Sequence, residues 1–396
     1  MSLDNDLGVV ATIWNRRRTR DGSGRKTDDA PMTRSFVSRP ATPGERGREF
    51  GEAHSVEIGN NVEVYRELFA RLAGSPVDLR QLGKAAMTTT SNFSSDAAAE
   101  IEGIATGAGL PVWDVAALNA RTEILATCRY KSRGECSTIV ALGEGSAPIL
   151  AGQTWDWHEE LADGWLLWTI EHPDGRVVHT LTEFGILGKI GINSSGLGVM
   201  MNLLHHQTDG RGMGVPVHVL SRILLDSAHD LNQALVLIGS AHTSASVALT
   251  LVTEQGNDKA AMSAEIYPGG PGYLLPDERG ILIHTNHFIS VPAAWGDREN
   301  VVGPDSFFRY EILQRRLRHL QPTSSADLID TLTSHFGGGG AVCCHPDADA
   351  EYGTRYATLA TVTLDINARS MTVREGGPCK VKRESPVSHG ATLAER

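Results

Sequence analysis

Apolar residues between positions 56 and 73 recur at helical spacing. Val62, Tyr65, Leu68, Phe69 and Leu72 fall on one face, and Gly74 stands where a C-cap belongs. A second helix is predicted over 97–105. A third follows Pro111, with Val115, Leu118 and Ile124 turned inward. At Cys136 the pattern changes to short apolar runs, at 137–142, 148–152, 165–171, 177–182, 188–192 and 198–203. Turn residues such as Pro173-Asp174-Gly175 and Asn193-Ser194-Ser195-Gly196 divide them. This reads as a meander of antiparallel strands. Two helices come next; the second opens with Asp230, carries Gln233 three residues on and is expected to close at Gly239. Strands return at 246–253, 259–266 and 281–284. Two helical patterns follow, one built on Phe308, Ile312, Leu313 and Leu317 and one over 327–335, and a last hairpin pairs 356–365 with 372–374. Runs of strands and runs of helices, rather than alternating βαβ units, predict an α+β fold of two antiparallel sheets with helices outside.

Composition narrows the function classes. Of 396 residues, 41% are hydrophobic and 21% charged, which supports a packed core. A net charge of −11 argues against a protein that lives on phosphate contacts to nucleic acid. No run of eighteen apolar residues is present, so no membrane-spanning helix is expected. Residues 1–35 read as a disordered extension. Asn15-Arg16-Arg17-Arg18-Thr19-Arg20 is followed by no apolar segment of a secretory signal, and Asp4, Asp6, Asp21, Asp28 and Asp29 are foreign to a transit peptide. The five cysteines do not form a disulfide framework, and a reducing, cytoplasmic home is expected.

Several residues could carry chemistry. Cys136 opens a strand after a loop, in Gly134-Glu135-Cys136-Ser137-Thr138; by type alone it is a small buried residue or a nucleophile. Asp156, between Trp155 and Trp157, reads by type as a turn aspartate. Asn286 lies between His284 and His287. With Cys343-Cys344-His345 those histidines admit a zinc reading, but residues i and i+3 of a strand point to opposite faces and no Cys-x-x-Cys is present. No metal and no cofactor are therefore expected. Arg355 reads by type as a solvated arginine. The glycines between 185 and 198 lack the Gly-Lys-Ser/Thr end of a phosphate loop.

Six blocks in order give a stronger signal. They are Asn119-Ala120-Arg121-Thr122-Glu123, Cys136-Ser137-Thr138, Gly152-Gln153-Thr154-Trp155-Asp156-Trp157, Gly188 to Gly196, His284-Thr285-Asn286-His287, and Thr354-Arg355-Tyr356-Ala357-Thr358-Leu359; Gly214-Val215-Pro216 lies in order among them. Together they make the chain resemble the acyl-coenzyme A:6-aminopenicillanic acid acyltransferase family of self-processing N-terminal-nucleophile (Ntn) hydrolases. The resemblance implies an αββα sandwich, two antiparallel sheets between helical layers. Residues 36–135 would be its mostly helical α-chain part and 136–396 its β-chain part. It implies autocatalytic cleavage between Glu135 and Cys136, although the penicillin acyltransferases carry glycine where this chain has Glu135. It further implies an amidohydrolase or N-acyltransferase working through a thioester on Cys136. Asp156 would hold the α-amine, Asn286 would supply the oxyanion donor, Arg355 would be the active-site arginine and Ser246 a supporting residue. The implied partners are a small acyl amide or acyl thioester and the two processed chains held as a heterodimer, with no nucleic acid and no membrane. Two alternatives stand beside it: an unprocessed cysteine hydrolase pairing Cys136 with a histidine such as His158, and a binding protein on a degenerate Ntn scaffold. Trp155, Trp157, Trp165 and Trp168 hint at an apolar acyl group. Cys128, Cys343, Cys344 and Cys379 are expected to tolerate replacement.

Overall fold

The computed structural model describes residues 11–14, 18–20, 26–28, 34–74, 76–128 and 136–383. Two sheets form its centre. The six-stranded sheet runs in the order Ala11–Trp14, Ser370–Glu375, Tyr356–Asp365, Leu150–His158, Ser137–Ala141, Ile281–His284. The eight-stranded sheet runs Gly270–Leu274, Asp258–Tyr267, Ser246–Gln255, Gly198–Leu204, Ile190–Asn193, Val177–Glu183, Trp165–Glu171, Ser35–Ser38. Neighbours are antiparallel except at one edge of each sheet, where Ala11–Trp14 and Ser35–Ser38 pair in parallel. Within the expected extension, short strands occupy 11–14, 18–20 and 26–28, and its other residues up to 33 lie outside the described ones.

Alternation along the strands assigns the layers. On Ser137–Ala141, Val140 joins the core between the sheets, while Ile139 and Ala141 pack outward against Leu313, Leu317, Leu328 and Leu332. Those leucines belong to helices Asp305–Leu317 and Ser325–Leu332, which cover the six-stranded sheet. Helices Val217–Ser227 and Leu231–Ser240 cover the eight-stranded sheet. Between the sheets, Thr138 Oγ1 donates to Asn202 Oδ1 at 2.7 Å and Met201 N donates to Gln153 Oε1 at 3.3 Å. The result is the αββα sandwich that the sequence led us to expect. Six further helices, from Pro43–Ala53 to Arg121–Thr127, pack onto the eight-stranded sheet and its ends; Phe50 stacks on Trp168 with ring centroids 4.1 Å apart.

The differences from the sequence reading have local causes. Leu150–His158 runs six residues beyond the expected stop at 152, and Gly270–Leu274 was not expected. Gly239 lies inside its helix, which continues to Ser240; Asp230 does cap it, accepting from Gln233 N at 2.8 Å. Helices Leu79–Phe93 and Pro43–Ala53 were not expected either. Thr88-Thr89-Thr90-Ser91 hides the first behind weak helix formers. The second has no apolar stripe to read, because it packs through glycine. A Cβ on Gly47 would lie 2.2 Å from Glu100 O, and one on Gly103 would lie 2.2 Å from Gly44 O. Only its capping box was legible: Glu45 N donates to Thr42 Oγ1 at 3.4 Å and Thr42 N to Glu45 Oε2 at 3.1 Å.

This close approach seats Arg46 on Glu100, and Glu100 also takes Arg222 Nη2 at 3.0 Å, so one buried carboxylate ties three helices together. Gly47→Ala should therefore cost about 1–3 kcal/mol through overpacking. Gly59→Ala, where a Cβ meets nothing within 4 Å in helix Ser55–Ala73, should be neutral or stabilise by up to about 1 kcal/mol. Denaturant midpoints of the two variants check the contrast.

Candidate active site

Cys136 immediately precedes the strand Ser137–Ala141, on the side shared with Thr138 and Val140, so period-2 geometry aims its thiol between the sheets. The residue is buried, and its Sγ lies 3.9 Å from the backbone oxygen of Asp156. Its own carbonyl oxygen accepts from Asn202 Nδ2 and from Arg309 Nη1, each at 3.0 Å. Arg309 also donates to Ser137 Oγ at 3.1 Å and, through Nη2, to Asn286 Oδ1 at 3.0 Å; its Nε is paired with Asp305. A tight pocket over the thiol is lined by Arg121, Trp155, Trp157, Lys189, Met201 and Leu203 together with Asp156. Its free volume of ≈ 10 Å³ matches about one water molecule.

Two cations, Arg121 and Lys189, line the pocket, and the buried carboxylate of Glu183 holds both. Glu183 receives Arg121 Nη2 at 3.1 Å, Lys189 Nζ and the Tyr65 hydroxyl, and Trp157 Nε1 donates to that hydroxyl at 2.8 Å. Burial alone would raise the Glu183 carboxyl, but Arg121 and Lys189 hold it below its ordinary value. Burial pushes Lys189 down to about 7, against the pull of Glu183. Arg121 lies 4.1 Å from the centre of the Trp157 ring and Lys189 3.8 Å from that of Trp155, so the two tryptophans present the cations to the pocket. Trp165 and Trp168, the other half of the tryptophan cluster, are core residues.

Three expected residues converge here. Cys136 and Asp156 share the pocket. Asn286 reaches it through Leu203, whose carbonyl accepts from Asn286 Nδ2 at 2.9 Å. Asp156 is buried on Leu150–His158, one residue out of phase with Trp155 and Trp157. Its charge, after burial, helps raise the Cys344 thiol behind the strand. Glu135 lies outside the described residues. Arg355 is not among the residues that line the Cys136 pocket. Its side chain is partly exposed, donates to the carbonyls of Ala350 (2.7 Å) and Ala348 (3.3 Å), and faces Glu159 at 3.9 Å. The arginines at Cys136 are Arg309 and Arg121.

Ser246 is buried and donates to Asp209 Oδ1 at 2.6 Å, beside a larger cleft of about 440 Å³. Leu203, shared with the Cys136 pocket, joins the two; Thr122, Leu125, His205, Asp209 and Arg298 are among the walls of the cleft. His158 bonds Tyr356 Oη at 3.3 Å and is not in the pocket, and burial drives its pKa to about 3. His284 and His287 do not join Cys343 and His345: His284 is engaged with Glu265 at 2.9 Å, and His287 with Ser306 at 2.9 Å.

The sequence did not single out Arg121, Lys189, Glu183, Asn202 or Arg309 as site residues. Arg121 and Lys189 stand inside blocks that carried the resemblance, and that position was their one signal.

Comparison with known proteins places the chain in a family. Residues 142–380 match the family model described as acyl-coenzyme A:6-aminopenicillanic acid acyl-transferase. The stretch includes Asp156, Asn286 and Arg309 and starts six residues after Cys136. A curated relative, the acyl-coenzyme A:6-aminopenicillanic-acid-acyltransferase 40 kDa form of Emericella nidulans, is 29% identical over 344 residues, 86% of this chain and 92% of the relative. Among solved structures, a Caenorhabditis elegans N-acylethanolamine-hydrolyzing acid amidase ortholog aligns with TM-score 0.40 and 13% identity over 58% of this chain and 93% of its own. Penicillin V acylase from Agrobacterium tumefaciens gives TM-score 0.40 and 13% identity over 59% and 80%. Among the described residues, no helix is long and apolar enough to cross a membrane. The family match covers more than half of the sequence and contains most of the residues gathered around Cys136, and the chain belongs to the acyl-coenzyme A:6-aminopenicillanic acid acyl-transferase family.

Proposed function

We propose that the chain is a self-cleaving N-terminal-cysteine enzyme that removes or transfers an acyl group through a thioester on Cys136. The observation that carries this reading is the placement of the Cys136 thiol in a tight pocket between Arg121 and Lys189, with the residue's own carbonyl pinned by Asn202 and Arg309. Nearby cations favour thiolate, the form that attacks carbonyl carbon.

In the cleavage step the thiol adds to the carbonyl of Glu135 and the peptide nitrogen leaves, an N-to-S shift. Water then releases Glu135 as a carboxylate and leaves Cys136 with a free thiol and a free α-amine. An α-amine with a pKa of about 7.7–8.0 suits a general base at neutral pH. In turnover it takes the thiol proton, the thiolate adds to the acyl carbonyl, and the ammonium returns the proton to the departing amine or thiol. Water or an acceptor amine then resolves the thioester. Asp156 steadies the ammonium. A primary amide carries two N–H groups; Asn286 uses one on Leu203, and the other serves the oxyanion. The cleft beyond Leu203 receives the substrate, an acyl amide or acyl thioester. A reducing cytoplasmic setting, in which Cys136 stays a thiol, fits the same reading.

The products of cleavage would remain one heterodimer, because Phe50 on Trp168, Arg121 on Glu183 and Glu100 on Arg222 all cross the cut. The unprocessed hydrolase is the weaker reading. A base held at about pKa 3 is too weak to take a thiol proton efficiently, and His158 does not line the pocket.

Denaturing mass spectrometry of active protein should give two chains, residues 1–135 and 136–396. Cys136→Ala should give one uncut, inactive chain. A single full-length species with full activity would contradict self-processing. Asn286→Ala should lower kcat by about 10²–10³ with the chain correctly cut. Arg309→Met removes a charged hydrogen bond that orients Asn286, at a cost of about 1.5–3 kcal/mol, so kcat should fall about 10- to 100-fold. Arg355→Lys should stay near wild type. Steady-state kinetics on the processed variants check the ranking, and an Arg355 effect exceeding that of Arg309 would reverse these two roles.

A further inference from the structure

Four metal-type ligands meet on the far side of the six-stranded sheet, and the acyl chemistry uses none of them. His335, Cys343, His345 and Cys379 each offer one ligand atom, and the four atoms lie within 4.8 Å of one another. Three segments supply them. His335 follows helix Ser325–Leu332, Cys343 and His345 belong to the connection leading to strand Tyr356–Asp365, and Cys379 sits in the first turn of helix Pro378–Arg383.

The contacts converge on one atom. His345 Nε2 lies 3.7 Å from Cys343 Sγ, 3.4 Å from Cys379 Sγ and 3.1 Å from His335 Nε2. An imidazole nitrogen has either one proton or one lone pair in the ring plane, so it cannot serve three hydrogen-bond partners at once. A cation at the centre resolves the conflict, because every ligand then points at the ion rather than at its neighbours. Zinc with sulfur at about 2.3 Å and nitrogen at about 2.0–2.1 Å, in tetrahedral array, sets S···N edges of about 3.6 Å and an N···N edge of about 3.3 Å. The three edges that meet at His345 agree with these values within a few tenths of an ångström, and the remaining pairs lie within 4.8 Å.

We propose that His335, Cys343, His345 and Cys379 bind a zinc ion. Two thiolates and two imidazoles are a soft, tetrahedral donor set that selects zinc over the hard divalent cations. Both thiols give up their protons on binding. With all four positions filled by protein, the site is structural rather than catalytic. It fastens the helix Pro378–Arg383 to the segment behind the active-site strand. In that segment Cys344 N donates to Thr358 Oγ1 at 3.0 Å, and Thr358 lies opposite Asp156 in the sheet. The proposal departs from the expectation that Cys343 and Cys379 are dispensable, and it does not depend on the acyl reading.

Untagged protein from zinc-supplemented cells should hold about one zinc per chain by plasma mass spectrometry. Cys379→Ser and Cys343→Ser should each bring that below about a tenth, while Cys128→Ser keeps it. Cys343 is buried, and its replacement risks a folding defect, so a second readout uses the wild type. Metal-free protein titrated with cobalt(II) should develop thiolate-to-cobalt charge transfer and the intense visible bands of a tetrahedral site. These should saturate at one equivalent and vanish on adding zinc. Chelation should also make two further thiols reactive. Wild type with neither zinc nor a cobalt spectrum would overturn the proposal, as would a chain two hydrogens lighter with Cys343 joined to Cys379.

Discussion

The guanidinium of Arg309 is the contact on which the site depends. It enters from the outer helix Asp305–Leu317, passes the edge of the six-stranded sheet, and holds Cys136 O, Ser137 Oγ and Asn286 Oδ1 at once. Asp305 neutralises it from one helical turn away. A planar fork with fixed donors can do this; a lysine ammonium cannot. Helix position, strand register and the orientation of the Asn286 amide are thereby coupled. If the helix shifts, the amide turns and the carbonyl of Cys136 is released together with it.

A second buried charge system plays the matching part on the other side of the thiol. Glu183 gathers Arg121 from the helical half and Lys189 from the sheet half. Removing one partner of such a group costs about 3–5 kcal/mol, because an uncompensated charge is left in the interior. The same carboxylate therefore joins the two halves of the chain and fixes the positions of the two cations beside Cys136. Contact between the two halves of the chain and the charges beside Cys136 rest on one ion network.

Features that arise from periodicity and order were legible in the sequence. Val62, Tyr65 and Leu68 marked their helix, the alternation after residue 136 marked the meander, and the ordered blocks pointed to Cys136, Asp156 and Asn286. Features that arise from packing were hidden. Asn202 sits in the apolar run Gly198–Leu204 and reads there as an interruption; only the facing sheet makes it a ligand of Cys136 O. Arg309 follows Phe308 in an amphipathic helix, where an arginine reads as solvent-facing, yet it is buried. Arg355 misled for the opposite reason, since a conspicuous block placed it near the site while its side chain closes its own loop. The zinc tetrad shows the same limit. Cys343 and His345 stand together in the sequence, but their partners come from 10 and 34 residues away rather than from His284 and His287.

On the reading proposed above, acyl transfer passes through the thiol of Cys136 at the head of a processed chain. Brief reaction with a slowly released acyl substrate, an acid quench and mass spectrometry test it most directly. The chain beginning at Cys136 should gain one acyl group, located on its first residue and released by hydroxylamine as a thioester. An acyl group on any other residue, or on an uncut chain that continues to turn over, would contradict it.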